Sequence, residues 1–133
     1  MMSSTEYHDS KYGLFAFEHH AWNANASHSV GGFQDVQLSV FANEIDAVHI
    51  TLLTTFESTW DDLAPQFAKR LVEESEVAED WDEEIEVTDI RNHAVLCAVA
   101  VTDKKIINAS FNVAWDAHQL IYAVDGNKIL GLV

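Results

Sequence analysis

The chain has 133 residues, 48% of them hydrophobic and 11% aromatic, so it can bury a core and is not a disordered polyacidic segment. Its 22 acidic residues against 7 Lys and Arg residues give a formal net charge of −15, which repels phosphate backbones and anionic lipids and argues against direct nucleic-acid binding. We expect a single domain over residues 1–133, with a basic protein as its electrostatic complement.

Membrane insertion and disulfide bonding are not expected. The longest strongly apolar stretch, Ala94 to Val101, has eight residues, whereas a spanning helix needs about 20. No basic region followed by an apolar one marks the N-terminus, so we expect a cytoplasmic protein. The single cysteine, Cys97, fits a reducing compartment, and its apolar neighbours favour a buried, inert thiol over a nucleophile.

The N-terminal third is expected to contain strands. Residues Met1 to Tyr12 are polar, and we expect them to be flexible. Leu14 to Phe17 is a candidate first strand, and Asn23 to Gly32, rich in Asn, Ser and Gly, predicts a loop. In Phe33 to Phe41 apolar residues alternate with polar ones, which predicts a strand with one face towards water.

Two helices are predicted in the middle of the chain. Asp46 to Ser58 is rich in Val, Ile and Thr, which favour strands, but its spacing favours a helix capped by Asp46. Four apolar residues recur at every fourth position and predict its buried face, namely Val48, Leu52, Phe56 and Trp60.

The second helix begins near Asp61 or Asp62 and ends around Ser75, with Pro65 in or near its first turn. Its predicted apolar face consists of Leu63, Phe67 and Leu71.

The remaining chain predicts strands that form an antiparallel meander ending in a hairpin. The predicted strand segments are Ile85/Val87, His93 to Val101, Ile107 to Val113, Leu120 to Val124 and Lys128 to Val133. Turns are expected at Asp103-Lys104 and at Asp125-Gly126-Asn127. The fold class is therefore α+β. An exposed edge strand of this meander could pair with its twin in a homodimer.

Two segments carry a resemblance to known proteins. The C-terminal part resembles the ending of small bacterial domains of unknown function. This part consists of Trp115-Asp116-Ala117-His118-Gln119-Leu120 followed by the hairpin Val124 to Gly131. Their middle region is similar to Trp60 to Leu71, which contains Trp-Asp-x-Leu-x-Pro. The resemblance implies N-terminal strands, one or two helices and a closing antiparallel sheet. Some of these domains resemble immunity proteins of toxin systems, and the pattern establishes no catalytic role. This chain lacks their Glu and Gly around His118.

The acidic run from Glu73 to Asp89 is the chain's strongest compositional feature, with ten carboxylates in seventeen residues and no Lys or Arg. Carboxylates at a helix C-terminus oppose the helix dipole, so they do not serve the preceding helix. Trp81 interrupts the run and is a candidate binding anchor, although it could instead fold back to cover the sheet. The predicted binding residues are Trp81, Glu79, Asp80, Asp82, Glu83, Glu84 and Glu86.

Histidines supply the alternative sites. His19, His20 and His28 form the densest group and are the candidate metal ligands, but neighbouring residues of a strand point to opposite faces. His118 beside Asp116 is the candidate acid–base pair, without a nucleophile at a recognisable spacing. Since no zinc, Ca²⁺ or phosphate-binding motif is present, we expect no cofactor.

These observations favour a noncatalytic acidic domain that binds a basic protein, for example an immunity-type inhibitor of a nuclease or a mimic of DNA charge. The alternative is a small hydrolase or metal-dependent enzyme that uses His118 and Asp116 or the histidine group.

Overall fold

A computed structural model describes residues 5–74, 94–113 and 119–133, and this part of the chain contains nine strands and two helices. The strands are β1 (Glu6–Asp9), β2 (Gly13–Glu18), β3 (Ala21–Ala24), β4 (His28–Val30), β5 (Phe33–Val40), β6 (Ala94–Val101), β7 (Ile107–Val113), β8 (Leu120–Asp125) and β9 (Lys128–Leu132). The helices are α1 (Ala47–Ser58) and α2 (Trp60–Glu74). The α+β class is thereby confirmed.

All nine strands belong to one mixed sheet, in the order β1-β2-β3-β5-β6-β7-β8-β9, with β4 paired to β5. The N-terminal strands pair antiparallel, and so do β6 to β9, which confirms the predicted C-terminal meander. The two halves meet where β5 pairs parallel with β6. A parallel pair needs a long crossover, and α1 and α2 lie within the connection between these two strands.

Both helices pack on one face of the sheet and form the core with it. Phe67 of α2 lies 4.9 Å from Phe111 and 5.7 Å from Tyr122, measured between ring centroids. The predicted apolar face of α2, Leu63, Phe67 and Leu71, is fully buried. From Val36 to Val40 every second residue of β5 is buried, as the alternation predicted, but Phe33 is buried three positions before Val36 because Asp35, with positive φ, interrupts the regular strand.

Helix α1 begins and ends where the sequence predicted, but it buries a different face. Asp46 is its N-cap and accepts a hydrogen bond from the Val48 backbone N–H at 2.9 Å. The buried residues of α1 are His49, Leu53 and Phe56, whereas Val48 is 47% exposed. Residues spaced four apart move gradually off one helix face, because an α-helix has 3.6 residues per turn. The buried positions 49, 53, 56 and 60 have a mean spacing close to 3.6 residues. Of the predicted face, Phe56 and Trp60 are buried and Leu52 packs against the core while partly buried, whereas the prediction for Val48 was wrong.

The N-terminal region contains more strand than the sequence predicted. The stretch from Asn23 to Gly32, predicted as a loop, contains the end of β3 and all of β4. Gly31 and Gly32 form the turn into β5, both with positive φ. Residues Met1 to Tyr12, expected to be flexible, include β1 and the buried Tyr12. Strands of only three or four residues give little alternation, so they are difficult to recognise in a sequence.

The C-terminal strands lie close to their predicted bounds, and Gly126 and Asn127 connect β8 to β9. The predicted strand at Ile85 and Val87 lies outside the described residues. Within the described ranges no helix is long and apolar enough to cross a membrane.

Candidate functional site

The predicted binding surface lies almost entirely outside the described residues. Helix α2 ends with Glu73 and Glu74, and its last turn contains no basic residue, so it leads into the acidic run as expected. All the predicted binding residues fall in the range 75–93, which the structure does not describe. They are Trp81, Glu79, Asp80, Asp82, Glu83, Glu84 and Glu86. They remain predicted binding residues.

The predicted acid–base pair, Asp116 and His118, also lies outside the described ranges. The next residue, Gln119, lies on the sheet face opposite the helices. Its side-chain nitrogen donates to Cys97 Sγ at 3.0 Å and to Asn112 Oδ1 at 3.3 Å. The pair stays a prediction.

The three histidines proposed as metal ligands occupy two different places. His19 and His20 form the two-residue turn between β2 and β3, with φ of 55° and 66°. The sequence had suggested a strand at this place. The His28 ring nitrogen Nε2 donates to the carbonyl oxygen of Tyr12 at 3.0 Å. Among the residues with described positions, no three His, Cys, Asp or Glu side chains come together to hold a metal ion.

A group of titratable side chains that the sequence did not predict surrounds Tyr12. The Tyr12 hydroxyl donates to Glu57 Oε2 and lies 3.5 Å from Thr54 Oγ1, while Lys11 Nζ lies 2.9 Å from Glu57 Oε2. The His28 ring packs edge-on against the Tyr12 ring. We call Lys11, Tyr12, His28, Thr54 and Glu57 the Tyr12 cluster. It connects the β1–β2 turn and β4 to helix α1.

The chemistry of the Tyr12 cluster is that of a structural contact. Burial, followed by the hydrogen bond to Glu57, raises the pKa of Tyr12 to about 12. The hydrogen bond to Glu57 is also the main cause of the raised pKa of Lys11. At neutral pH both groups therefore stay protonated, and neither is prepared to act as a nucleophile or a base. The cluster fixes the N-terminal strands against α1.

Cys97 lies on the face of the sheet opposite α1 and α2, at a bulge in β6, and is half-buried. Its thiol donates to the carbonyl oxygen of Ser110 at 3.2 Å. Burial raises the pKa of Cys97, which lowers the thiolate fraction that a nucleophile needs. This arrangement agrees with the predicted inert thiol, although the side chain is less buried than expected.

A second acidic surface, within the described residues, lies where α2 begins. Exposed Asp61 and Asp62 occupy its first turn. The β8–β9 turn is held beside them, because Gln66 Nε2 donates to the Asn127 carbonyl oxygen at 3.0 Å and Thr59 Oγ1 donates to that of Gly126 at 3.4 Å. Asp125 is exposed at this turn, opposite Lys128 in the strand pair. We call Asp61, Asp62 and Asp125 the acidic end.

No protein-family model matches the chain, and neither the curated proteins nor the solved structures contain a match. The resemblance to small bacterial domains therefore stays a prediction.

The sequence offered only partial signals for the two clusters that the structure reveals. Asp61 and Asp62 were visible as the start of a helix, but their proximity to the β8–β9 turn depends on how α2 packs. Tyr12 and Glu57 are separated by 45 positions, and Tyr12 lies in a polar stretch that predicts exposure. The Asp9 carboxylate accepts bonds from the Lys11 and Tyr12 backbone N–H groups, both at 2.8 Å, and such an Asx turn is a local signal that could have been recognised.

Proposed function

We propose that this domain is a noncatalytic binding protein whose acidic surface engages a basic protein. The observation that carries the proposal is the excess of carboxylates, 22 acidic residues against 7 Lys and Arg. Within residues 5–71, 94–112 and 119–133 every acidic side chain is exposed, except those of Asp9 and Glu57, which are half-buried. Between described side chains, one ion pair joins a lysine to a carboxylate, Lys11 to Glu57. In the described part of the chain most acidic side chains therefore lie at the surface, where a partner can reach them.

The acidic surface of the proposal has two parts, the run from Glu73 to Asp89 and the acidic end. The run follows α2 in the sequence, and the acidic end lies at the first turn of that helix, whose fifteen residues span about 22 Å. A basic partner that contacts both would gain long-range attraction and a faster encounter. Trp81 would supply the apolar anchor of this interface, since aromatic residues ringed by polar ones often carry most of the binding energy.

The more specific forms of the proposal are an immunity-type inhibitor that covers the basic cleft of a toxin nuclease and a mimic of DNA charge. Both require a partner that itself binds nucleic acid. If either form is correct, adding DNA should compete with this domain for the partner.

The proposal is tested by purifying the partner from the native host and comparing its affinity for matched variants. Trp81→Ala and the pair Glu83→Gln with Glu84→Gln should each weaken binding about tenfold or more. The control pair, Glu44→Gln with Asp103→Asn, removes two exposed charges elsewhere and should have a smaller effect. An equal loss of affinity in both pairs would mean that only the net charge of the domain matters. No loss of affinity in either pair would contradict the proposal.

The same preparation tests the enzymatic alternative. Stoichiometric zinc in the purified protein, or a hydrolytic activity that is lost in His118→Ala, would favour a metal-dependent enzyme or a hydrolase over a binding protein.

A further inference from the structure

The two outer strands of the sheet differ in their charge. β1 carries Glu6, His8 and Asp9, which are typical of an edge protected against pairing with another strand. In β9 the four residues from Ile129 to Leu132 carry no charge, and two of them are exposed apolar side chains, Leu130 at 49% and Leu132 at 46%. Such an edge favours contact with another strand.

The outer edge of β9 also offers backbone hydrogen-bonding groups. Leu132 pairs with Tyr122 of β8, and the neighbouring Val133 N–H donates inward to the Ile121 carbonyl oxygen at 2.8 Å. Because bonded and non-bonded pairs alternate along an antiparallel ladder, the backbone N–H and C=O of Leu132 point away from β8. Among the described strands, only β8 pairs with β9.

We propose that β9 pairs antiparallel with β9 of a second copy of this chain, so that the sheet continues across a two-fold symmetric homodimer. The backbone groups at Leu132 would supply hydrogen bonds, and Leu130 and Leu132 of the two copies would cover one another. The occupant is a second copy because the edge residues from Ile129 to Leu132 carry no charge and are self-complementary. A basic peptide would find no carboxylate between Lys128 and Leu132.

Charge also favours this place for a dimer. Two copies with a net charge of −15 each repel one another, and β9 itself carries no acidic side chain that would face its symmetry mate. Antiparallel pairing brings Lys128 of one copy towards Leu132 of the other, so like charges are not opposed. It also separates the two β8–β9 turns, with their Asp125 residues, by about the length of β9, roughly 17 Å.

An irregularity in β9 limits the strength of the contact. Ala123 pairs with Gly131 and Val124 with Ile129, which leaves Leu130 as an extra residue in a bulge. Bulges shorten and twist the ladder that an edge can offer. We therefore expect a reversible dimer and not an open fibre.

Sedimentation over a range of concentrations, with two matched variants, tests the dimer. Leu130→Lys places a positive charge on the edge, whereas Val95→Lys places the same charge at a residue of equal exposure, 50%, on the interior strand β6. We expect wild type to dimerise, Leu130→Lys to raise the dissociation constant at least about tenfold, and Val95→Lys to change it less than about twofold. A wild-type monomer at all concentrations, or equal loss in both variants, would overturn the proposal.

A second measurement uses the unmodified chain and does not depend on whether the variants fold. Exchange of the Leu132 amide hydrogen should slow as the protein concentration rises, while that of Val133, bonded to Ile121, should stay constant. An exchange rate of Leu132 that is independent of concentration would count against the β9 pairing.

The homodimer is independent of the basic partner proposed above, and salt separates the two. Added salt screens repulsion between like-charged copies and should strengthen the dimer, whereas it should weaken an acidic–basic complex.

Discussion

Single side chains explain how the N-terminal strands are fixed to the helices. The Tyr12 hydroxyl donates to Glu57 across two distant segments, and Lys11 lies beside the same carboxylate. A hydrogen bond to a charged acceptor typically stabilises a fold by about 1.5 to 3 kcal/mol. Tyr12 therefore stabilises the fold and does not act as a catalytic residue.

Tyr12→Phe tests this role through its pH dependence. Since the pKa of Tyr12 is raised from 10.0 to about 12 in the fold, its contribution is complete below pH 10 and is lost as the pH rises towards 12. We expect the variant to be less stable than wild type by about 1 to 2 kcal/mol at pH 7, because Glu57 keeps Lys11 as a partner. Chemical denaturation should show this difference shrinking between about pH 10 and 12. A difference that stays constant with pH would contradict the raised pKa of Tyr12, which burial and the hydrogen bond to Glu57 together cause.

Gly31 is the second residue whose identity the structure explains. It has φ of +59°, and a Cβ atom there would lie 2.5 Å from Cε2 of the buried Trp60 indole. Both the backbone conformation and the lack of space therefore require glycine at this turn.

Gly31→Ala should lower the free energy of unfolding by about 2 to 4 kcal/mol, since overpacking adds to the cost of a left-handed residue. Gly126→Ala is the matched control: its φ is +61°, but nothing lies within 4 Å of the added atom. Its free energy of unfolding should fall by about 1 to 2 kcal/mol, because only the left-handed backbone conformation is strained. Denaturant unfolding of both variants measures the difference, and equal losses would argue against close packing of Gly31 on Trp60.

At the scale of elements, the β2–β3 hairpin has an unusual turn. Both turn residues, His19 and His20, have positive φ, and both side chains are exposed. Two-residue turns of this geometry favour Asn-Gly, because other residues are strained in the left-handed region. The histidines therefore destabilise the hairpin locally.

Replacing both residues, His19→Asn with His20→Gly, should raise the free energy of unfolding by about 1 kcal/mol. His8→Asn is the control, an exposed histidine on β1 without positive φ, and it should give no gain. Urea denaturation midpoints compare the two, and an unchanged midpoint in the double variant would show that the turn carries no strain.

The elements also show where sequence reasoning works and where it fails. The α2 face and the alternation in β5 could be predicted, because periodicity follows from the geometry of one segment. The face of α1 could not, since apolar residues occur on several sides of that helix and tertiary packing selects Leu53 over Leu52. Strand β4 was missed because pairing with β5 and the Gly31-Gly32 turn, not its own residues, fix it as a strand.

At the scale of the whole molecule, the predicted meander was correct, but the way it joins the rest was not foreseen. The parallel pairing of β5 with β6 links strands more than 50 residues apart, and no local pattern specifies such a pair. The candidate binding surface was predicted from composition alone. Packing added the acidic end, because it holds the β8–β9 turn beside the first turn of α2.

The central claim is that the acidic surface binds a basic protein. Calorimetric titration of the partner purified from the native host, at about 0.05 M and about 0.3 M salt, tests it most directly, because screening differs strongly between these conditions. We predict that the dissociation constant of wild type rises at least about tenfold with salt, and that Glu83→Gln with Glu84→Gln reduces this dependence. A partner that is not basic, or a dissociation constant that does not change with salt, would contradict the claim.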